Sequence, residues 1–106
     1  MTIENRTLAL LIEWGVPPQV KGFRFLHAAI VECYNDPNRL DLITKILYPA
    51  IAREHGVGWM NVERCIRHAV SRSRHKDYSN SAFIALAVWT LKQNEPLFYD
   101  GEYERI

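Results

Sequence analysis

The sequence predicts an all-α domain of about five helices that contains a helix-turn-helix. Three observations predict it. Apolar residues recur at helical spacing through most of the chain, and almost no segment alternates with period two. The breakers Gly15-Val-Pro-Pro18, Asn35-Asp-Pro37 and Pro96 divide these periodic stretches. Third, Gly56 follows Ala52 by four residues, between one short periodic stretch and another, where a chain must turn sharply and a positive φ suits glycine.

The elements follow in order. Residues 3–14 carry apolar Ile3, Leu8, Leu11 and Ile12, a short amphipathic helix stopped by Gly15 and Pro17. A second helix spans about 19–34, with Val20, Phe23, Leu26, Ala29 or Ile30, and Cys33 on its stripe. Gly22 weakens its first turn locally and permits close packing. A third segment, 39–55, has Leu40, Ile43, Leu47 and Ile51 on one side. Pro49 lies within it, and either kinks one helix or opens a new one after Tyr48. The next helix spans about 59–74. Val57, Val62 and Cys65 are spaced to lock it onto its predecessor. Ser79 or Asn80 caps a last helix, 81–93, with Phe83, Ile84, Ala87, Val88 and Leu91 apolar. Residues 1–94 form the helical domain, and 95–106 an acidic, aromatic tail.

A chain of 106 residues with 48% hydrophobic residues supports one modest core. Its net charge of +1 conceals an asymmetry. Arg64, Arg67, Arg72, Arg74 and Lys76 lie within 61–76 against the single acid Glu63, with His68 and His75 among them. In the tail, Glu95, Asp100, Glu102 and Glu104 stand against Arg105. That pattern suits a polyanion-facing surface and an acidic tail. Two cysteines, Cys33 and Cys65, fit a reduced, cytoplasmic setting. No leader pattern and no apolar run near about 18 residues argues for secretion or a membrane partner.

The helix at 59–74 carries the functional signal. With Val62 toward the core at about 100° per residue, Ile66, Ala69 and Val70 fall beside it and Cys65 at the edge. Met60, Arg64, Arg67, His68 and Ser71 fall opposite, with Asn61 at the margin. These donors suit the major groove: Arg bridges O6 and N7 of guanine, and Asn bridges N6 and N7 of adenine. Glu63 suits cytosine N4 or the orientation of an arginine. Asn61, Glu63, Arg64 and Arg67 are therefore the candidate base contacts. Arg67, His68, Arg72, Arg74 and Lys76 are the candidate phosphate contacts, with His75 on the same basic edge. A merely solvated charged face is the bland alternative, which the Ala52–Gly56 turn and the one-sided charge weigh against. Trp14 and Trp89 are expected in packing. Trp59, at the helix start, is either a staple-like contact with the preceding turn or a contact with DNA or a partner.

Other chemistry is poorly supported. Cys65 and His68 are spaced to share an ion, but no second pair follows, so no metal and no cofactor is expected. Cys33 and His27 are read as packing residues rather than a nucleophile and base. No phosphate loop and no convergent carboxylates are present, so the chain is not read as an enzyme.

The segments GVPPQVKGFRFL (15–26), ITKILYPAIA (43–52), VERCIRHAV (62–70) and NSAFIAL (80–86) carry a family likeness. Over about four-fifths of its length the chain resembles the C-terminal DNA-binding effector domain of the master response regulator of endospore formation in Bacillus and Clostridium. The resemblance implies an all-helical fold that binds a short box in double-stranded DNA, with two copies head-to-tail on tandem boxes. It also implies that Glu63, Arg64, Arg67 and His68 are recognition-helix residues. Three departures stand out. Asn61 occupies a position where the family has a base-contacting Arg. Gly58-Trp59-Met60 replaces small and hydroxyl residues, removing a Ser or Thr cap. Ser71–Ser79 is shorter than the family's stretch, which carries an extra helix that helps shape the contact between protomers. The 106 residues hold no counterpart of the family's receiver domain or its phosphorylation site. The expected function is sequence-specific regulation of transcription. The alternative is an interaction module that pairs with, or antagonises, a full-length relative, with that relative as partner.

Overall fold

The computed structural model describes residues 1–94, which form five α-helices with no strand among the described residues. The tail 95–106, and the domain boundary drawn ahead of it, lie outside the described residues.

Helix α1 (Ile3–Glu13) starts where the Thr2 hydroxyl accepts from Asn5 N at 3.1 Å. It ends at Gly15, whose φ of 85° lets the Val16 N–H reach back to the Leu11 carbonyl. Its buried face is Thr7, Leu10 and Leu11; of the expected stripe Leu11 is buried and Ile3 packs against the core, whereas Leu8 is 40% exposed and Ile12 53%. The sequence offers two apolar stripes, and the one that includes a threonine is packed. Thr7 is tolerated there because its hydroxyl donates to the Ile3 carbonyl at 2.8 Å.

Helix α2 (Lys21–Asn35) is the hub, with Phe23, Phe25, Leu26, Ala29, Ile30 and Cys33 buried against α1, α4 and α5. The helical segment read over 39–55 is three pieces, and of the two readings of Pro49 the structure takes the new helix. A 3-10 stretch covers Pro37–Leu42, opened by Asp36 Oδ1 accepting from Asn38 N at 3.3 Å. A π-helical turn covers Ile43–Leu47, and α3 covers Tyr48–His55. Pro49 sits in the first turn of α3, so it opens a new helix. Its missing N–H and bulky ring break the ladder of a continuous helix. The widened turn ahead of it, where the Tyr48 N–H reaches the Ile43 carbonyl, absorbs the mismatch.

Helix α4 (Trp59–Ser71) follows α3 through a turn at Gly56, with φ 67° and ψ 35°. The Val57 N–H bonds the Ala52 carbonyl at 3.0 Å. Ala52 is buried, as the close approach requires. Of the three residues expected to lock the pair, Val62 is fully buried, Cys65 is half-buried and Val57 is 38% exposed. Val57 thus ties the turn through its backbone rather than its side chain.

Beyond α4 the chain turns at once. The buried Ser73 hydroxyl donates to the Val70 carbonyl at 2.7 Å and accepts from His75 N at 3.0 Å. These bonds close the end of α4 three residues earlier than 74. Helix α5 (Asn80–Gln93) is capped by Ser79, which accepts from Ala82 N at 3.1 Å. Phe83, Ile84, Ala87, Val88 and Leu91 enter the core. Trp14 is buried and stacks edge-on to Phe83 at 5.3 Å. Trp89, expected to pack, is 57% exposed, because it falls outside the stripe that α5 turns inward.

Candidate nucleic-acid interface

The geometry of α4 is set from its inner face. Val62, Ile66 and Ala69 have no exposed surface and Val70 almost none. Burying four apolar side chains on one side forces the other side outward. Met60, Arg64, Arg67, His68 and Ser71 are exposed, Trp59 is 44% exposed, and Asn61 is half-buried at the margin.

Exposed Arg67 and half-buried Glu63 are organised. Arg67 Nη2 donates to Glu63 Oε1 at 2.8 Å, one turn back. An exposed pair of this kind contributes roughly 0.3–0.5 kcal/mol to the helix, so its main effect is to aim the guanidinium. Glu63 is itself anchored, since Asn80 Nδ2 donates to its carbonyl at 3.1 Å and to the Tyr48 hydroxyl at 3.0 Å. Asn80 therefore ties α3, α4 and α5 at one point. Burial raises the Tyr48 hydroxyl above its ordinary range, while the Asn80 bond opposes that shift. Sequence reasoning weighed Asn80 only as a cap. Nothing in its neighbours reveals a contact made across the fold.

A trough runs along this flank of α4. One concavity of about 470 Å³ is lined by Thr44, Trp59, Met60, Glu63, Arg64 and Arg67. A second of about 460 Å³ is lined by Thr44, Tyr48, Glu63, Arg67, Lys76, Tyr78 and the start of α5. They share Thr44, Glu63 and Arg67, so the two concavities adjoin, and Arg64 and Lys76 line one each. A larger concavity of about 550 Å³ lies elsewhere, between α1, α2 and the end of α3. Its lining mixes Glu4 and Glu54 with Arg24 and two histidines, and it includes none of the candidate residues.

The rest of the basic segment divides. Arg72 is exposed just past α4, and Lys76 lines the trough. Arg74 is tied to α1: its Nη2 donates to the Glu13 carbonyl at 2.9 Å and its backbone N–H to the Trp14 carbonyl at 2.8 Å. His75, expected on the basic edge, packs instead against Trp14 at 4.5 Å and Tyr78 at 5.3 Å. Among the described residues no group of three His, Cys, Asp or Glu is placed to hold a metal.

The first turn of α4 lacks a side-chain cap, because Gly58 occupies the cap position. Gly58 has ordinary extended backbone, and a Cβ there meets nothing within 4 Å. Gly58→Ser is expected to stabilise the domain by a few tenths of a kcal/mol, about the margin between the two caps. A thermal melt checks this; a lower midpoint would show that the turn needs glycine for another reason.

The two thiols differ. Cys33 is fully buried, and burial pushes its thiol from an ordinary 9.0 up to about 11, with nearby Arg39 opposing. In the native protein Cys65 is expected to react with iodoacetamide while Cys33 reacts only on unfolding, as peptide mapping after a timed pulse would show. A buried thiol that holds its proton longer than the unfolded chain contributes stability below an ordinary thiol's range. That contribution is lost as pH rises from 9.0 to about 11. The loss of stability over that window is expected to be shallower in Cys33→Ala than in the wild type, measured by urea unfolding at stepped pH.

Residues 7–94 match the family model described as sporulation initiation factor Spo0A C terminal, and the chain belongs to that family. The match runs from the middle of α1 to the residue just past α5. This is a family of DNA-binding effector domains in transcription regulation, not a family of enzymes. No helix among the described residues is long and apolar enough to cross a membrane.

Proposed function

With membership of that DNA-binding family as premise, we propose that the chain is a sequence-specific regulator of transcription. In this reading α3, the Gly56 turn and α4 act as a helix-turn-helix, with α4 in the major groove of double-stranded DNA. The observation that carries it is the division of α4 into a fully buried apolar face and an exposed cationic one. Arg64 is the leading base reader, with Asn61 and Arg67 beside it. Glu63 aims Arg67 and is itself available to a cytosine amine. His68, Arg72 and Lys76 hold phosphates, as does whatever part of Arg67 the bases leave free. Such contacts position the protein without reading sequence. Arg74 has less to offer a phosphate, with Nη2 already on the Glu13 carbonyl. Two copies on tandem boxes fit the family, with Trp89 exposed on α5 as one apolar group available to a neighbour.

Selection from a randomised duplex pool at physiological salt tests the proposal. Enrichment of a short box, single or tandem, is the expected result. Folded protein that enriches nothing would refute sequence-specific binding. It would favour the interaction module that pairs with a full-length relative.

A further inference from the structure

Asn61 stands in the first turn of α4, at the margin between the packed face and the cationic one. Its Oδ1 is the acceptor for the Cys65 thiol, one turn further on, at 3.5 Å. Cys65 is in turn held by α2. Its backbone carbonyl presses on Gly22, where a Cβ would come within 1.9 Å of the oxygen. The thiol donates here, and a carboxamide oxygen can only accept, whereas its nitrogen can only donate. Pairing the oxygen with Cys65 therefore turns it toward the helix and leaves the NH2 group as the free end.

We infer that Cys65 is a positioning residue that makes Asn61 a donor-only reader of base edges, selecting guanine over adenine. The inference rests on α4 being the groove helix. An unrestrained Asn pairs with adenine through both ends, Oδ1 taking the N6 hydrogen while Nδ2 donates to N7. The oxygen keeps a second lone pair, but with Oδ1 turned toward Cys65 the adenine N6 hydrogen is met by the NH2 end and not by the acceptor. Guanine presents acceptors at both O6 and N7, so an amide N–H finds a partner at either position. The Asn at 61 then reads the base that an Arg would read.

The test compares the wild type with Cys65→Ser, Cys65→Ala and Asn61→Ala by selection, followed by competition binding. The column that loses preference in Asn61→Ala is the one that Asn61 reads. Wild type is expected to favour guanine over adenine there by at least roughly fivefold, on the scale of one paired contact. Cys65→Ser keeps a donor and is expected to keep the ratio. Cys65→Ala frees the amide and is expected to bring the ratio to about one or reverse it toward adenine, because the two-ended pairing becomes available. A purely structural cysteine would change stability and total affinity, not this ratio. Adenine in the wild-type column, or an unchanged ratio in Cys65→Ala, overturns the inference and leaves DNA reading intact. A wild-type protein that enriches no box overturns the DNA reading, and the inference with it.

Discussion

Gly22→Ala is expected to destabilise the domain by about 3 kcal/mol, at or above the upper end of ordinary overpacking. The added Cβ would lie 1.9 Å from the Cys65 carbonyl oxygen, 2.5 Å from its carbon and 3.1 Å from the Ala69 Cβ. The first two are backbone atoms of α4, so no rotamer change relieves them. Either α2 and α4 move apart, opening the most extensive helix–helix contact among the described residues, or one of them bends. The gain in helix propensity, about 1 kcal/mol, offsets only part of this. Against a typical total of roughly 5–15 kcal/mol the loss is large. Urea unfolding gives the answer directly, with Gly58→Ala as the companion, because a Cβ there meets nothing within 4 Å. A Gly22→Ala midpoint close to the wild type would mean that the α2–α4 seat yields easily. The orientation of the cationic face would then rest on something else.

That contact shows how far sequence reasoning reaches. A glycine in the first turn of α2 signals close packing, but which backbone it meets is a property of the assembled fold. The face of α4 was legible because one period, 3.6 residues, separates Val62, Ile66, Ala69 and Val70 from Arg64, Arg67 and His68, and burial then enforces the division. Gly56 was legible because few residues other than glycine sit comfortably at a φ of 67°. The errors share a cause. Leu8, Ile12 and Trp89 are apolar, yet apolarity does not by itself decide which stripe is buried. The break at 37–47 reflects a choice among hydrogen-bond ladders that hydrophobic period does not encode. His75 was grouped with its charged neighbours, whereas the ring is used for its flat apolar body against Trp14. Arg74 and Asn80 make their main contacts with residues 61 and 32 or 17 positions away. No local pattern announces those distances.

Arg64→Ala is expected to lower affinity for the preferred box by about 1–3 kcal/mol and to leave binding to random duplex nearly unchanged. Arg64 is exposed on α4 and has no ion pair among the described residues, so its guanidinium is free for a two-pronged contact with guanine. Arg67 differs, since Glu63 already holds one of its nitrogens. Lys76→Ala should weaken all sequences alike and reduce the slope of log affinity against log salt by about one phosphate's share. Arg74→Ala supplies the contrast. Losing its bond to the Glu13 carbonyl should lower stability by about 1 kcal/mol, with little change in DNA affinity. Fluorescence anisotropy on the selected box and on random duplex, each across a salt series, separates these effects. Equal losses on both duplexes for Arg64→Ala would make it a phosphate contact and move base reading to Asn61 and Arg67. Lost affinity with unchanged stability for Arg74→Ala would mean that its remaining nitrogens reach the DNA backbone while the end of α1 holds without it.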